Sequence, residues 1–415
     1  MTSRNTAADH PESVRARFSP AWIILIAGIV SAMHVGKVPP ALPVLERELG
    51  LSLVQAGFLI SLVQIASMLV GLAVGLAVAG WGYRRSVIIG LGLLALASFV
   101  GSFATNATEL LTLRALEGFG FLLVVMPAPT LLRRLVDPHR VNGMVALWSV
   151  YMPFGSAAAL LVGPWVITYA GWPALWMGLA LVTAAMCLWV LLAVPPDPPR
   201  TAEPGNAAIP ENWQRRLVTT LKSPGPWAVA LSFSVYAGQW FTIIGFLPSI
   251  YAEAGISGNV AGALTALAAG INMVGCIGSG RLLASGVRPY NLLYTGFIVM
   301  ATCAFIAFVN VNGWSAPPLL RYLAILAFSA VGGYIPGTLF TLAVRLAPTE
   351  ATISTTVGWV QQWSATGQLF IPPLTGWVAS LTGSWRWTWV ICLACGLVGI
   401  TLARVIFFLV RKAAR

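Results

Sequence analysis

The chain has 415 residues, of which 58% are hydrophobic and only 9% charged. A soluble domain covers itself with about 25% charged residues, so most of this surface faces something other than water and a soluble globule is excluded. The formal net charge is +12, which in a soluble chain would point to nucleic acid; here the basic residues have another explanation, given below, and no nucleic-acid partner is expected.

Residues 1–19 are polar and read as a tail. No cleavable signal peptide is expected, because the first apolar run continues past signal-peptide length without an A-x-A site. From there to the end, stretches long enough to cross ~30 Å of hydrocarbon, about 20 residues each, recur. Backbone groups in such stretches find no water, so each closes its own hydrogen bonds as a helix. The predicted helices are 20–43, 52–80, 86–105, 109–132, 139–169 and 172–194, then 226–250, 257–284, 289–312, 318–346, 350–379 and 385–410. Between them, PPDPPR, TAEPGN and ENWQRR carry too much proline and charge for a membrane helix. The fold class expected is an all-α membrane protein of twelve transmembrane helices. Its parts are a tail (1–19), an N-terminal six-helix bundle (20–194), a linker (195–222) and a C-terminal six-helix bundle (223–415).

Basic residues set the orientation. With both termini cytoplasmic, that side receives nineteen Lys and Arg residues, among them Arg84, Arg85, Arg133, Arg134, Arg281, Arg288 and Arg345, and the outer side only Arg47, Arg321 and Arg386. This asymmetry absorbs the net charge into topology. The five cysteines (Cys187, Cys276, Cys303, Cys392, Cys395) all lie in apolar stretches and read as free packing residues, with no metal site expected from the Cys392/Cys395 spacing.

The two halves resemble one another. PPALPVLERELGLS after the first helix parallels GFLPSIYAEAGIS after the seventh, and LLRRLVDPHRVNGMVALW parallels LAVRLAPTEATISTTVGW, about 205–210 residues apart. Duplicated bundles place a substrate at their interface near the bilayer midplane.

RALEGFG, with Arg114, Gly118 and Gly120, and the loop GLAVAGWGYRR are the stretches in which the chain resembles the major facilitator superfamily. The resemblance implies the fold of two pseudo-symmetric six-helix bundles and alternating-access transport. The loop departs from the family's G-x-x-x-D-R-x-G-R-R at Ala79, which removes the aspartate that latches the outward-open state; Arg84 and Arg85 remain as gating candidates. Gly155, Gly163 and Pro164 keep only part of the family's antiporter motif, whereas GKVPPALPVLERELGLSLVQAGFLISL is similar to the cyanate and nitroimidazole branch, which carries small polar or anionic solutes.

Of twelve carboxylates, only Glu117 falls well inside a span; against it stand Lys37, Arg114 and a titratable His34. Ionisable groups at that depth are costly and mark function. His34 and Lys37 are three apart, hence on one helix face, and both are candidates to meet the substrate; the alternative for Lys37 is snorkelling to the outer surface. Arg114 and Glu117 are also three apart, and either a structural ion pair or proton coupling fits them. Such a pair leaves Lys37 as the uncompensated charge. Aligning Leu42-Pro43 with Leu247-Pro248 sets His34 opposite Gln239, with Tyr236 and Trp240 nearby; Trp148, Tyr151, Gln361 and Gln362 complete the candidate substrate-binding set.

No P-loop, nucleophile–base pair or metal cluster is found, so neither an enzyme nor ATP-driven transport is expected, and no cofactor. The expected function is secondary transport of a small, anionic solute, with protons as a coupling partner, by a monomer in the bacterial inner membrane. The alternative is proton-coupled efflux of hydrophobic compounds.

Overall fold

The computed structural model describes residues 19–137, 140, 144, 147, 148, 150–197, 213–310 and 315–413. Most of the N-terminal tail, much of the connection between the fourth and fifth helices and the linker stretch 198–212 lie outside the described residues.

The first membrane helix, α1, runs Pro20–Gly36 and continues as Val38–Glu48, interrupted at Lys37. Pro39 and Pro40 stand in the first turn of the second piece, where a missing N–H breaks no ladder bond. α2 runs Leu53–Ser61 and Ile65–Trp81 around the 3-10 turn Leu62–Gln64, and opens with a capping box between Ser52 and Gln55. α3 is Tyr83–Gly101, and α4 is Ala107–Val125 followed by Ala128–Leu135. The continuous stretch Tyr151–Ala193 contains one non-helical residue, Gly171, at φ 79 and ψ 165. Side chains rarely tolerate that φ, so this glycine divides the stretch into α5 (151–170) and α6 (172–193). In the second half, α7 is Pro224–Glu253, α8 is Gly258–Gly270 with Asn272–Ala284, and α9 is Pro289–Phe308. α10 is Pro318–Gly332 with Tyr334–Arg345, α11 is Ile353–Thr382 and α12 is Thr388–Ala413.

Ten stretches are long and apolar enough to cross a membrane. One of them is the kinked α5–α6 pair, and α11, made more polar by Gln361, Gln362 and Gln368, adds the last helix, so the described residues contain twelve. One helix was not anticipated: Trp213–Lys222, inside the linker.

The pairing of helices repeats. α1 packs on α5, α3 on α4 and α6; correspondingly α7 packs on α11, α9 on α10 and α12. The family motif has a steric reason. A Cβ on Gly118 would lie 2.7 Å from the Val63 carbonyl of α2, and one on Gly120 would lie 2.8 Å from the Gly90 carbonyl of α3, so α4 approaches both helices backbone to backbone. α1 and α7 bury most of their side chains and stand at the centre. Phe103 and Leu192, on the outside, are 63% and 75% exposed, which suits hydrocarbon rather than water.

The bundles meet along a seam. At the end poor in arginine, Gly57 of α2 lies against Pro372 and Pro373 of α11, Gly376 of α11 against Leu53, Gly262 of α8 against Leu160 and Pro164 of α5, and Gly245 of α7 against Ile60. That end is closed.

Candidate functional site

The break in α1 organises the charged residues. A helix leaves its last four carbonyls without intrahelical partners. His34 is among them at the end of Pro20–Gly36, and Leu59 is among them at the end of Leu53–Ser61. Arg114 of α4 reaches both: Nη1 donates to the His34 carbonyl at 2.7 Å and Nε to the Leu59 carbonyl at 3.0 Å. A cation is favoured at such helix ends. One guanidinium thus ties α1 and α2 to α4.

Glu117, one turn further along α4, takes Arg114 Nη1 on Oε2 at 2.7 Å and the Lys37 ammonium on Oε1. Lys37 Nζ also donates to Ser98 Oγ of α3 at 2.8 Å and lies 4.6 Å above the Trp176 ring of α6. It is 3.4 Å from His34 Nδ1, and His34 Nε2 is 2.7 Å from Thr183 Oγ1 of α6; which nitrogen carries the proton depends on the tautomer. All four ionisable side chains are buried, at 0–2% exposure. Two fixed cations face one carboxylate, so with His34 neutral the cluster carries one positive charge in excess.

Of the two placements open for Lys37, the structure has the buried one and not snorkelling to the membrane surface. One expectation is corrected: Arg114 and Glu117 do not form a closed pair that leaves Lys37 alone, because Glu117 has two oxygens and serves both cations, and the one positive charge in excess belongs to the cluster as a whole. An ammonium withdrawn from water is stable only when paired, and α3 and α6 supply Ser98 and Trp176 as further neighbours. The amine therefore points into the first bundle. Ser98, Trp176 and Thr183 were not anticipated. The signal in the sequence is slight: for Ser98 and Thr183 a lone hydroxyl in an apolar helix, and for Trp176 one aromatic among many.

The other candidates fall elsewhere. Gln239, aligned with His34, is fully buried and neither its amide nitrogen nor its oxygen has a hydrogen-bond partner. Tyr236 OH accepts from Asn272 Nδ2 at 3.2 Å, and Trp240 Nε1 donates to Ser329 Oγ at 2.9 Å, so these two tie α7 to α8 and α10. Trp148 and Tyr151 stack at 4.3 Å, with Trp148 against Gly28 of α1. Gln362 Nε2 donates to the Met68 carbonyl at 2.6 Å, and Gln64 to Gln368 at 3.0 Å; both bonds cross from α2 to α11. Gln361 is exposed half a turn around α11 from the apolar Phe370, away from the face turned to lipid.

Arg84 and Arg85 stand at the start of α3. Their N–H groups donate to the Asp197 carboxylate at 3.1–3.4 Å, and Arg84 Nη2 donates to the Leu191 carbonyl at 2.6 Å. Asp197, arriving from beyond α6, caps α3, whose flanking Gly82 has no side chain to do so. A carboxylate therefore stands at this helix end although the family's motif position holds Ala79. Among the described residues no three metal-ligating side chains gather.

Two repeated helical bundles, closed on each other at one end and with charge buried inside one of them, are the architecture of a membrane transporter. The profile of the Major Facilitator Superfamily matches residues 24–366, and the chain belongs to that family. It is similar to the cyanate transport protein CynX of Escherichia coli (strain K12), 24% identical over 391 residues, 92% of this chain and 95% of that one. It is also similar to the 2-nitroimidazole transporter of the same organism, 27% identical over 254 residues, 59% of this chain and 62% of that one. The fold matches the crystal structure of a bacterial homolog to the human lysosomal transporter Spinster in its inward-facing, unoccupied conformation. That match has a TM-score of 0.76 at 15% identity and covers 96% and 98% of the two chains. The chain is an integral membrane transporter and not an enzyme.

Proposed function

We propose that this transporter moves a small anion by alternating access, coupled to protons, with its arginine-rich end in the cytoplasm of a bacterial cell. The observation that carries the reading is the positive charge in excess at the break in α1. Charge withdrawn from water attracts a counter-ion strongly because the surroundings screen it little. Cyanate, which the CynX protein is named for transporting, is an anion of the expected size.

Lys37 is the residue we assign to anion attraction. Its ammonium lies at the joint between the two pieces of α1, where pivoting of either piece re-aims it toward the seam. On the opposite bundle Gln239 holds an amide with no partner, a hydrogen-bond donor for the same anion. Trp148, Tyr151 and the exposed Gln361 shape the path. A proton taken up by His34 or Glu117 adds positive charge to the cluster, and by reciprocal linkage each ligand then tightens the other.

Efflux of hydrophobic cations requires a membrane carboxylate free to meet them. Glu117 has both oxygens engaged by cations, which disfavours that reading.

The test is thermal unfolding of the purified protein and of Lys37→Ala in the presence of cyanate, small carboxylates or lipophilic cations. A ligand at 100 times its dissociation constant adds about 2.7 kcal/mol of stability. The expected result is stabilisation of the wild type by an anion and none of the variant. Stabilisation by lipophilic cations alone, equal in both proteins, would overturn the anion assignment.

A further inference from the structure

The last turn of α1 carries Glu46, seven residues beyond the 20 that a span starting at Pro20 needs. It lies at the closed, arginine-poor end, where this piece of α1 packs on α7 of the other bundle. Its Oε1 is buried and has no hydrogen-bond partner. The groups that face it across the seam are the Glu253 carboxylate and the Ser249 hydroxyl, both on α7. Ser249 is 4% exposed, and its Oγ likewise makes no hydrogen bond of acceptable geometry.

Glu253 is fixed in place. The Trp385 indole donates to its Oε1 at 2.7 Å, and the Trp385 ring packs 4.8 Å from Phe246. The equivalent pair in the first bundle is Glu48 with Trp172, at 2.8 Å, so Glu48 is engaged and serves its own bundle. The cations at this end are occupied elsewhere. Arg47 is exposed and donates to the Pro43 carbonyl at 3.0 Å, Arg321 donates to the Ala307 carbonyl at 2.7 Å, and Arg386 lies over Trp387. Tyr251, also on α7, interacts with Arg321 and Tyr322. α2 brings the uncharged Gln55 and α8 the uncharged Asn259. Among the described residues, no cation pairs with Glu46.

We propose that Glu46, facing Glu253 and Ser249 across the seam, is a proton-binding site that holds a proton whenever the arginine-poor end is closed. An ionised oxygen shut away from water and beside a second carboxylate is penalised twice, by desolvation and by like charge. A proton on Glu46 removes the repulsion and supplies an O–H for the carboxylate or hydroxyl opposite. When the seam opens, Glu46 joins the already exposed Glu253 in water, and the proton leaves to the water on that side. The closed form therefore binds more protons than the open form. Acid then favours closure and alkali favours opening. The site is separate from the buried cluster, and it needs no substrate to act, so its failure leaves the anion reading standing.

Spin labels on Tyr169→Cys and Leu381→Cys, both exposed and on opposite bundles, in a cysteine-free background, report the width of this end. The expected result is a distance that lengthens as pH rises from about 5 to about 8, across the range where a buried carboxyl releases its proton. Glu46→Gln, which mimics the protonated acid, should stay short throughout. Glu253→Gln keeps an oxygen for Trp385 and removes only the facing charge; it should remain closed to higher pH than the wild type. A wild-type distance indifferent to pH overturns the proposal, as does a full pH response surviving in both variants.

Discussion

Glu117→Ala is expected to lower stability by about 3–5 kcal/mol, the range found when one member of a buried ion pair is removed and the other charge is stranded. The effect is large here because two cations are stranded together. Lys37 and Arg114 are 0% and 2% exposed, so neither reaches water when the carboxylate is lost. Arg114 also holds the His34 and Leu59 carbonyls, and a guanidinium repelled by Lys37 loosens the helix ends it ties. Thermal unfolding in detergent reads the loss. Because Lys37 and Glu117 are in contact, Lys37→Ala with Glu117→Ala should lose less than the two single losses added. Strict additivity would show that the pair is not coupled as the structure has it.

Gly57→Leu is expected to reduce transport roughly tenfold or more while leaving the melting temperature near that of the wild type. A Cβ at Gly57 would stand 2.7 Å from the Pro373 Cα and 2.8 Å from the Pro372 carbonyl. Both belong to the other bundle, and backbone cannot move aside as a side chain does. Overpacking of this kind costs about 1–3 kcal/mol, charged here to the closed seam alone, so the population shifts toward the open one. Each bundle keeps its own packing. Gly118→Ala makes the contrast, since its Cβ would meet the Val63 carbonyl within the first bundle; that variant should lose stability. Equal melting losses in the two variants would mean that the Gly57 contact belongs to the fold and not to a moving seam.

The helices were legible because crossing a bilayer forces long apolar runs, and the repeat was legible because Leu42-Pro43 and Leu247-Pro248 mark the same turn twice. The four ionisable residues stood out for a related reason, being rare in such runs. Their partners did not. A spacing of three places His34 and Lys37 on one face of α1, but the direction of that face depends on which neighbour is packed there. α3 and α6 bring Ser98, Trp176 and Thr183 from 61 to 149 positions away. The break at Lys37 had only Pro39 and Pro40 as its signal, and these read equally well as the end of a helix. Asp197 was legible as a loop carboxylate and no more, since its capping role depends on where the chain goes after α6. The linker helix Trp213–Lys222 was hidden by the proline and charge around it.

Uptake of labelled cyanate or small carboxylates into proteoliposomes, with and without an inward proton gradient, measures whether the buried positive charge serves anion transport. Lys37→Ala is the informative comparison, because it removes the excess charge and leaves Arg114 and Glu117 as a neutral pair. Uptake above that of protein-free vesicles is expected, raised by the gradient and lost in Lys37→Ala. Uptake of cyanate and small carboxylates no greater than in empty vesicles, or undiminished in Lys37→Ala, would contradict that role of the charge.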